Sequence, residues 1–186
     1  MLPSTTPQRG FSQSEFENRV QKAQRMMNEE NIDAILLTTE PNIRYFSGFL
    51  TQFWQSPTRP WFLIVPRKGE LTAVIPEIGR PGMESTWVNE IRTWASPCPK
   101  DDGIALLVQA ISEVSMRFGR IGMTLGQESY LRMPANNFKL ITEKISPTEI
   151  VDIAIHLHKL KKIKSGAEIQ KIEHICKITS KAFDNL

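Results

Sequence analysis

Ile32-Asp33-Ala34-Ile35-Leu36-Leu37-Thr38 is the stretch on which the fold turns. It is a short apolar run bounded by turn formers, and its apolar residues are consecutive rather than alternating. That is the pattern of a strand covered on both faces, at the centre of a sheet with helices above and below. Immediately upstream, Ser12 and Glu15 have the spacing of a capping box, and Phe11 and Phe16 that of a hydrophobic staple. A helix is expected from there to about Glu30. Phe16, Val20, Ala23 and Met27 lie on its inward face, and Asn31 ends it.

Downstream, Pro41 opens a short helical turn through Tyr45 and Phe46 that Gly48 stops. Trp61–Val65 and Leu71–Ile75 are β-rich runs joined by a turn holding Pro66 and Gly69, hence an antiparallel hairpin in a mixed sheet. A short helical piece is expected after Gly79-Arg80-Pro81-Gly82, and a strand over Val88–Trp94. A loop follows through Pro97, Pro99 and Asp101-Asp102. Ile104–Phe118 has helical spacing, Arg120–Thr124 reads as a strand, Gln127–Asn136 as a helix and Phe138–Thr142 as a strand. Ser146-Pro147-Thr148-Glu149 repeats a helix-start pattern. The sum is an α/β domain over residues 11–154, with a mixed five- or six-stranded sheet and helices on both faces. A leader, residues 1–10, is expected to be disordered.

At the other end, Ser165 and Glu168 form a second capping box, followed by a wide apolar stripe at Ile169, Ile172, Ile175, Cys176, Ile178, Ala182 and Phe183. No stop signal closes this helix. Residues 155–186 therefore read as a linker and the first helix of a further domain.

The composition, 40% hydrophobic and 23% charged, is that of a soluble globular chain, and no apolar run approaches the ~20 residues of a membrane span. The formal charge of +3 is unevenly placed: residues 157–186 carry +4 and the remainder −1. Lys159, Lys161, Lys162 and Lys164 lack interleaved aromatics, so the expectation is a solvated linker face and no nucleic-acid binding. Cys98 and Cys176 form neither a metal spacing nor a disulfide framework, which fits a reducing cytoplasm. His156 and His158 point apart on a helix, and no metal motif, phosphate loop or nucleophile elbow occurs. The chain is expected to hold no catalytic residue, no metal ligand and no cofactor of its own.

Asn18-Arg19, Asn31-Ile32-Asp33-Ala34, Asn42-Ile43-Arg44-Tyr45-Phe46-Ser47-Gly48, Arg59-Pro60 and Ile163-Lys164-Ser165-Gly166-Ala167-Glu168-Ile169, in that order and spacing, resemble the N-terminal domain of the creatinase, prolidase and aminopeptidase P family. The likeness covers most of residues 11–186, and departs at Lys161, where members often have Arg. It implies a parent hydrolase whose C-terminal pita-bread domain holds the active site, with two manganese or cobalt ions in the peptidase branch or none in the creatinase-like branch. The N-terminal domain would then supply homodimer contacts and a wall of the peptide or small-molecule substrate site, reaching into the neighbouring subunit. Arg59 resembles the creatinase arginine that approaches a substrate carboxylate, a task suited to a forked, permanent cation. Phe53 and Trp54 are the candidates for an apolar wall beside it. The alternatives are a solvated Arg59, or one packed on Trp54 or Trp61, and aromatics that cover the core or a dimer contact. Pro57 stands where creatinase has an aromatic residue, so creatine itself is disfavoured. The resemblance leaves open an Xaa-Pro peptidase parent, a metal-free creatinase-like or ectoine-hydrolase-like parent, and a stand-alone protein-binding module.

Overall fold

A computed structural model describes residues 7–56 and 59–184. The expected leader therefore falls largely outside the described residues; 7–10 form no helix or strand. The first helix, α1 (Gln13–Glu29), is capped by Ser12, whose Oγ accepts from the Glu15 N–H at 3.3 Å. Phe11 and Phe16 meet edge to face at 6.2 Å, the expected staple. Asn31 ends the helix in the left-handed region, φ 56°, a conformation Asn tolerates better than most residues.

The decisive stretch is β1 (Ala34–Leu37), and all four of its residues are buried. It pairs antiparallel with β2 (Phe62–Pro66), which pairs antiparallel with β3 (Thr72–Pro76), giving the expected hairpin. β4 (Glu90–Trp94) lies parallel to β3. On the other side β5 (Arg120–Met123) and β6 (Glu149–Asp152) add parallel strands, so the order is β4-β3-β2-β1-β5-β6. Side-chain alternation along the strands splits the core into two layers. Ile35, Leu37, Leu63, Val65, Ala73 and Ile75 face α1, α2 (Glu40–Ser47) and α3 (Arg80–Glu84). Ala34, Leu36, Phe62, Ile64 and Val74 face α4 (Ile104–Ser112) and α5 (Ala135–Lys144). The fold is thus a mixed six-stranded sheet with helices on both faces.

Five local expectations need correction. α3 starts at Arg80, so Pro81 and Gly82 lie inside it rather than before it. The helix expected to run to Phe118 stops at Ser112, because the amides of residues 117–120 are drawn onto the Asp33 carboxylate instead of into further helical turns. Gln127–Asn136 forms no helix until Ala135, and Phe138–Thr142, read as strand, lies inside α5. There Phe138, Ile141 and Ile145 fall on one face at helical spacing and pack on the sheet, which outweighs the local strand pattern. The segment Ser146–Glu149 starts no helix; Glu149 opens β6, its N–H donating to the Gly119 carbonyl at 2.8 Å.

Residues 155–162, expected within a linker, are helical in α6 (Ala154–Lys162). Leu157 on that helix is fully buried in the layer shared with α1 and β1. Leu157→Ala should therefore lower the unfolding free energy by about 3 kcal/mol, as a truncation inside a packed core does. A urea melt of the variant within about 0.5 kcal/mol of wild type, the range of a surface change, would show α6 to be peripheral.

Candidate functional site

The candidate wall is built after α2. Gly48 closes α2 with φ 78°, in the left-handed region, and a Cβ there would meet the Phe16 ring at 2.8 Å, so both backbone and packing require glycine. The chain then enters a single 3-10 turn, Gln52–Gln55, capped by Thr51 Oγ1 accepting from the Phe53 N–H at 3.3 Å. Trp54 turns inward from this turn. It is 8% exposed and packs at 5.9 Å on Phe49 and 5.4 Å on Trp61. Phe53 and Arg59 instead line a cavity of about 280 Å³ together with Gln52, Gln55, Ser56, Trp61 and Ile78. Of the three expected wall residues, the fold brings Phe53 and Arg59 to one cavity and places Trp54 in the core behind it. Pro57 lies outside the described residues. The cavity combines an apolar side, from Phe53, Trp61 and Ile78, with amide and hydroxyl groups and one guanidinium.

Arg132, absent from the sequence expectations, organises the back of this loop. It is 3% exposed, and its guanidinium donates to the carbonyls of Phe53 (3.1 Å), Trp54 (3.5 Å), Ser56 and Arg59. Its Cζ stands 4.8 Å above the Trp54 ring, so the arginine stacked on Trp54 is this one and not Arg59.

A second cluster joins the body to α7 (Gly166–Asp184). The Ser165 N–H donates to Glu168 Oε2 at 2.9 Å and the Glu168 N–H to Ser165 Oγ at 3.2 Å, a complete reciprocal cap. Glu168 Oε1 also pairs at 3.1 Å with Arg19, a residue 3% exposed on the inward face of α1. Arg19 donates further to the Tyr45 carbonyl at 2.8 Å, pairs with Glu15 at 3.3 Å, and lies 4.2 Å and 4.4 Å from the centres of the Phe11 and Tyr45 rings. Burial pushes the Tyr45 phenol up to about 12, so the ring stays neutral beside the carboxylates. Lys161, expected on a solvated face, is half-buried and donates to Asn42 Oδ1 at 2.6 Å; burial, then Lys164, lowers its pKa.

No three His, Cys, Asp or Glu side chains converge as a metal site among the described residues. His156 Nδ1 lies 3.3 Å from Glu30 Oε1, a two-group contact between α6 and the residue that caps the C-terminus of α1. These donors do not fit a dinuclear metal centre. Cys98 and Cys176 are both free thiols, and no helix among the described residues is long and apolar enough to cross a membrane.

The model of the creatinase/prolidase N-terminal domain matches residues 19–163, and the chain belongs to that family. The creatinase of Bacillus sp. (strain B-0618) is 24% identical over 170 residues, which are 90% of this chain and 38% of that protein. The chain thus spans well under half the length of the curated relative it matches. Recombinant prolidase from Thermococcus sibiricus has the same fold with a TM-score of 0.74 at 20% identity, over 91% of this chain and 43% of that one. A dipeptidase from Pyrococcus horikoshii OT3 gives 0.70 at 18% identity, over 90% and 43%. The creatinase/prolidase N-terminal domain of an X-Pro dipeptidase from Streptococcus pyogenes gives 0.59 at 9% identity, over 76% and 98%.

Proposed function

We propose that this chain is the non-catalytic N-terminal domain of a cytoplasmic hydrolase that cleaves Xaa-Pro peptides, supplying homodimer contacts and one wall of the substrate site. The observation that carries this reading is α7. Its first turn is tied to the body through Glu168, yet none of its residues is buried, and Ile169, Ile172, Ile175, Ile178 and Phe183 are between 47% and 71% exposed. Five large apolar side chains on one firmly started helix are a surface that a further domain covers. That domain, the parent's own C-terminal catalytic region, would hold the two manganese or cobalt ions, and these would activate water and polarise the scissile carbonyl. The Phe53–Arg59 cavity would contribute the apolar wall and the carboxylate-binding cation, in the neighbouring subunit's site.

The isolated chain is therefore expected to show no hydrolysis of Ala-Pro with added manganese, measured by ninhydrin or mass spectrometry. The protein recovered from its source should have a mass about twice the 21.2 kDa of this chain and should cleave the same dipeptide. Turnover by mass-verified isolated chain would overthrow the reading, as would an endogenous mass equal to this chain, which would indicate a stand-alone binding module. The sequence similarity to a creatinase favours one second reading, a metal-free amidinohydrolase parent. Under that reading, activity of the endogenous protein survives a chelator and Ala-Pro is not cleaved.

A further inference from the structure

Arg132 has an unusual set of partners. A buried guanidinium ordinarily faces a carboxylate, yet no carboxylate oxygen lies within salt-bridge reach of this one among the described residues. It meets four backbone carbonyls instead, and all four belong to a single loop, at Phe53, Trp54, Ser56 and Arg59. The donor comes from far along the chain, between β5 and α5, so the contact ties the cavity loop to the opposite half of the sheet. Among the described residues of the loop, the backbone is otherwise held by the Thr51 cap and the Ser56 N–H donating to the Phe53 carbonyl at 3.2 Å. Burial lowers the Arg132 pKa, with Tyr130 and Glu40 opposing it only in part, the cost of holding a cation mainly on neutral dipoles.

We propose that Arg132 is the positioning residue of the Phe53–Arg59 cavity, its guanidinium fork gathering four carbonyls of the loop so that Phe53 and Arg59 face one ligand. The inference rests on reading that cavity as part of a substrate site. A fork is needed because Nη2 meets the carbonyls of Phe53, Trp54 and Ser56 while Nη1 meets that of Arg59: an ammonium has one nitrogen to place, whereas the planar guanidinium holds two on the two ends of the loop at once. The loop's inward carbonyls are thereby satisfied without a carboxylate. Glu40 acts on Arg132 only through space, without a direct ion pair among the described residues, so the guanidinium keeps positive charge behind Arg59 and leaves the cavity favourable to an anionic group such as a carboxylate.

The test compares wild type with Arg132→Lys and Arg132→Met by hydrogen exchange and by titration of N-acetylproline, a carboxylate on an apolar ring, followed by amide and indole NMR shifts. Hydrogen bonds to a charged group hold the loop, so Arg132→Lys should raise exchange at residues 53–56 by about tenfold while β1 to β3 keep their protection. The same variant should weaken the probe's Kd by about tenfold with an unchanged melt of the sheet. If Arg132→Met does not fold, the lysine variant decides alone. Unchanged loop exchange in Arg132→Lys, or an equal loss of protection across loop and sheet, overturns the positioning role. Absence of probe shifts in the wild type removes the substrate-wall reading but leaves the exchange comparison to decide for Arg132.

Discussion

Asp33→Ala is expected to lower the unfolding free energy by about 3–5 kcal/mol, the cost of stripping one partner from a buried charged network. Asp33 lies at the entry to β1 with none of its surface exposed. One carboxylate oxygen accepts from the Arg117 N–H and the other from those of Phe118, Gly119 and Arg120, three of these four bonds at 2.8 Å. Arg67, itself buried, stands 3.5 Å away. Removing the carboxylate orphans the amides at the entry to β5 and leaves Arg67 uncompensated. Asp33→Asn should be nearly as damaging, because its side-chain NH2 meets backbone N–H donors whichever way it is turned. Urea melts of both variants check this; a loss below about 1 kcal/mol in the alanine variant, typical of an exposed pair, would be incompatible with the cradle as described.

The same geometry fixes a pH dependence. Burial alone would raise the Asp33 pKa, but the four backbone N–H donors override it and hold it below the ordinary carboxylate value. A folded-state pKa below the unfolded one means the unfolded chain binds the proton more readily. The stabilisation is then complete above the unfolded carboxylate pKa, about 4, and is lost as pH falls through the lower folded value. Asp152 works in the same direction: burial opposes ionisation, and the N–H groups of Leu125, Ala154 and Gly126 outweigh it, with His156 adding a smaller effect. In Asp33→Asn the acid limb of the stability profile should flatten.

Much of this was legible because it is local. The consecutive apolar residues of β1, the staple at Phe11 and Phe16, the left-handed closure at Gly48 and the hairpin turn all follow from short-range chemistry. The second half of the chain was harder to read. Phe138–Thr142 alternates over so few residues that two periods fit, and only the sheet beneath α5 decides between them. Two buried charges carried a signal that periodicity arguments pass over: Asp33 interrupts an apolar strand, and Arg19 falls on the apolar face of α1 between Phe16 and Val20. Each is explained by a partner far along the chain. Arg132 has no local mark at all, since its role is written in the carbonyls of a loop more than seventy residues upstream.

Arg19→Met is the second change expected to have a large effect, about 3 kcal/mol, because it leaves Glu15 and Glu168 facing each other in a half-buried site without their shared cation. Its location sets a more specific expectation. Arg19 binds α1, the C-terminal part of α2 and the cap of α7, so its loss should raise exchange of the α7 amides near Ile169 before it affects the sheet. Glu168→Gln separates the two jobs of that residue, since glutamine still accepts from Ser165 in the cap but no longer balances a charge. Combined in a cycle, the two substitutions should show a coupling of about 1–3 kcal/mol, as contacting charged groups do. Additive effects would mean that the cap and the arginine act independently. Strong coupling with selective loosening of α7 would instead make Arg19 the residue that fixes the start of α7 against α1 and α2.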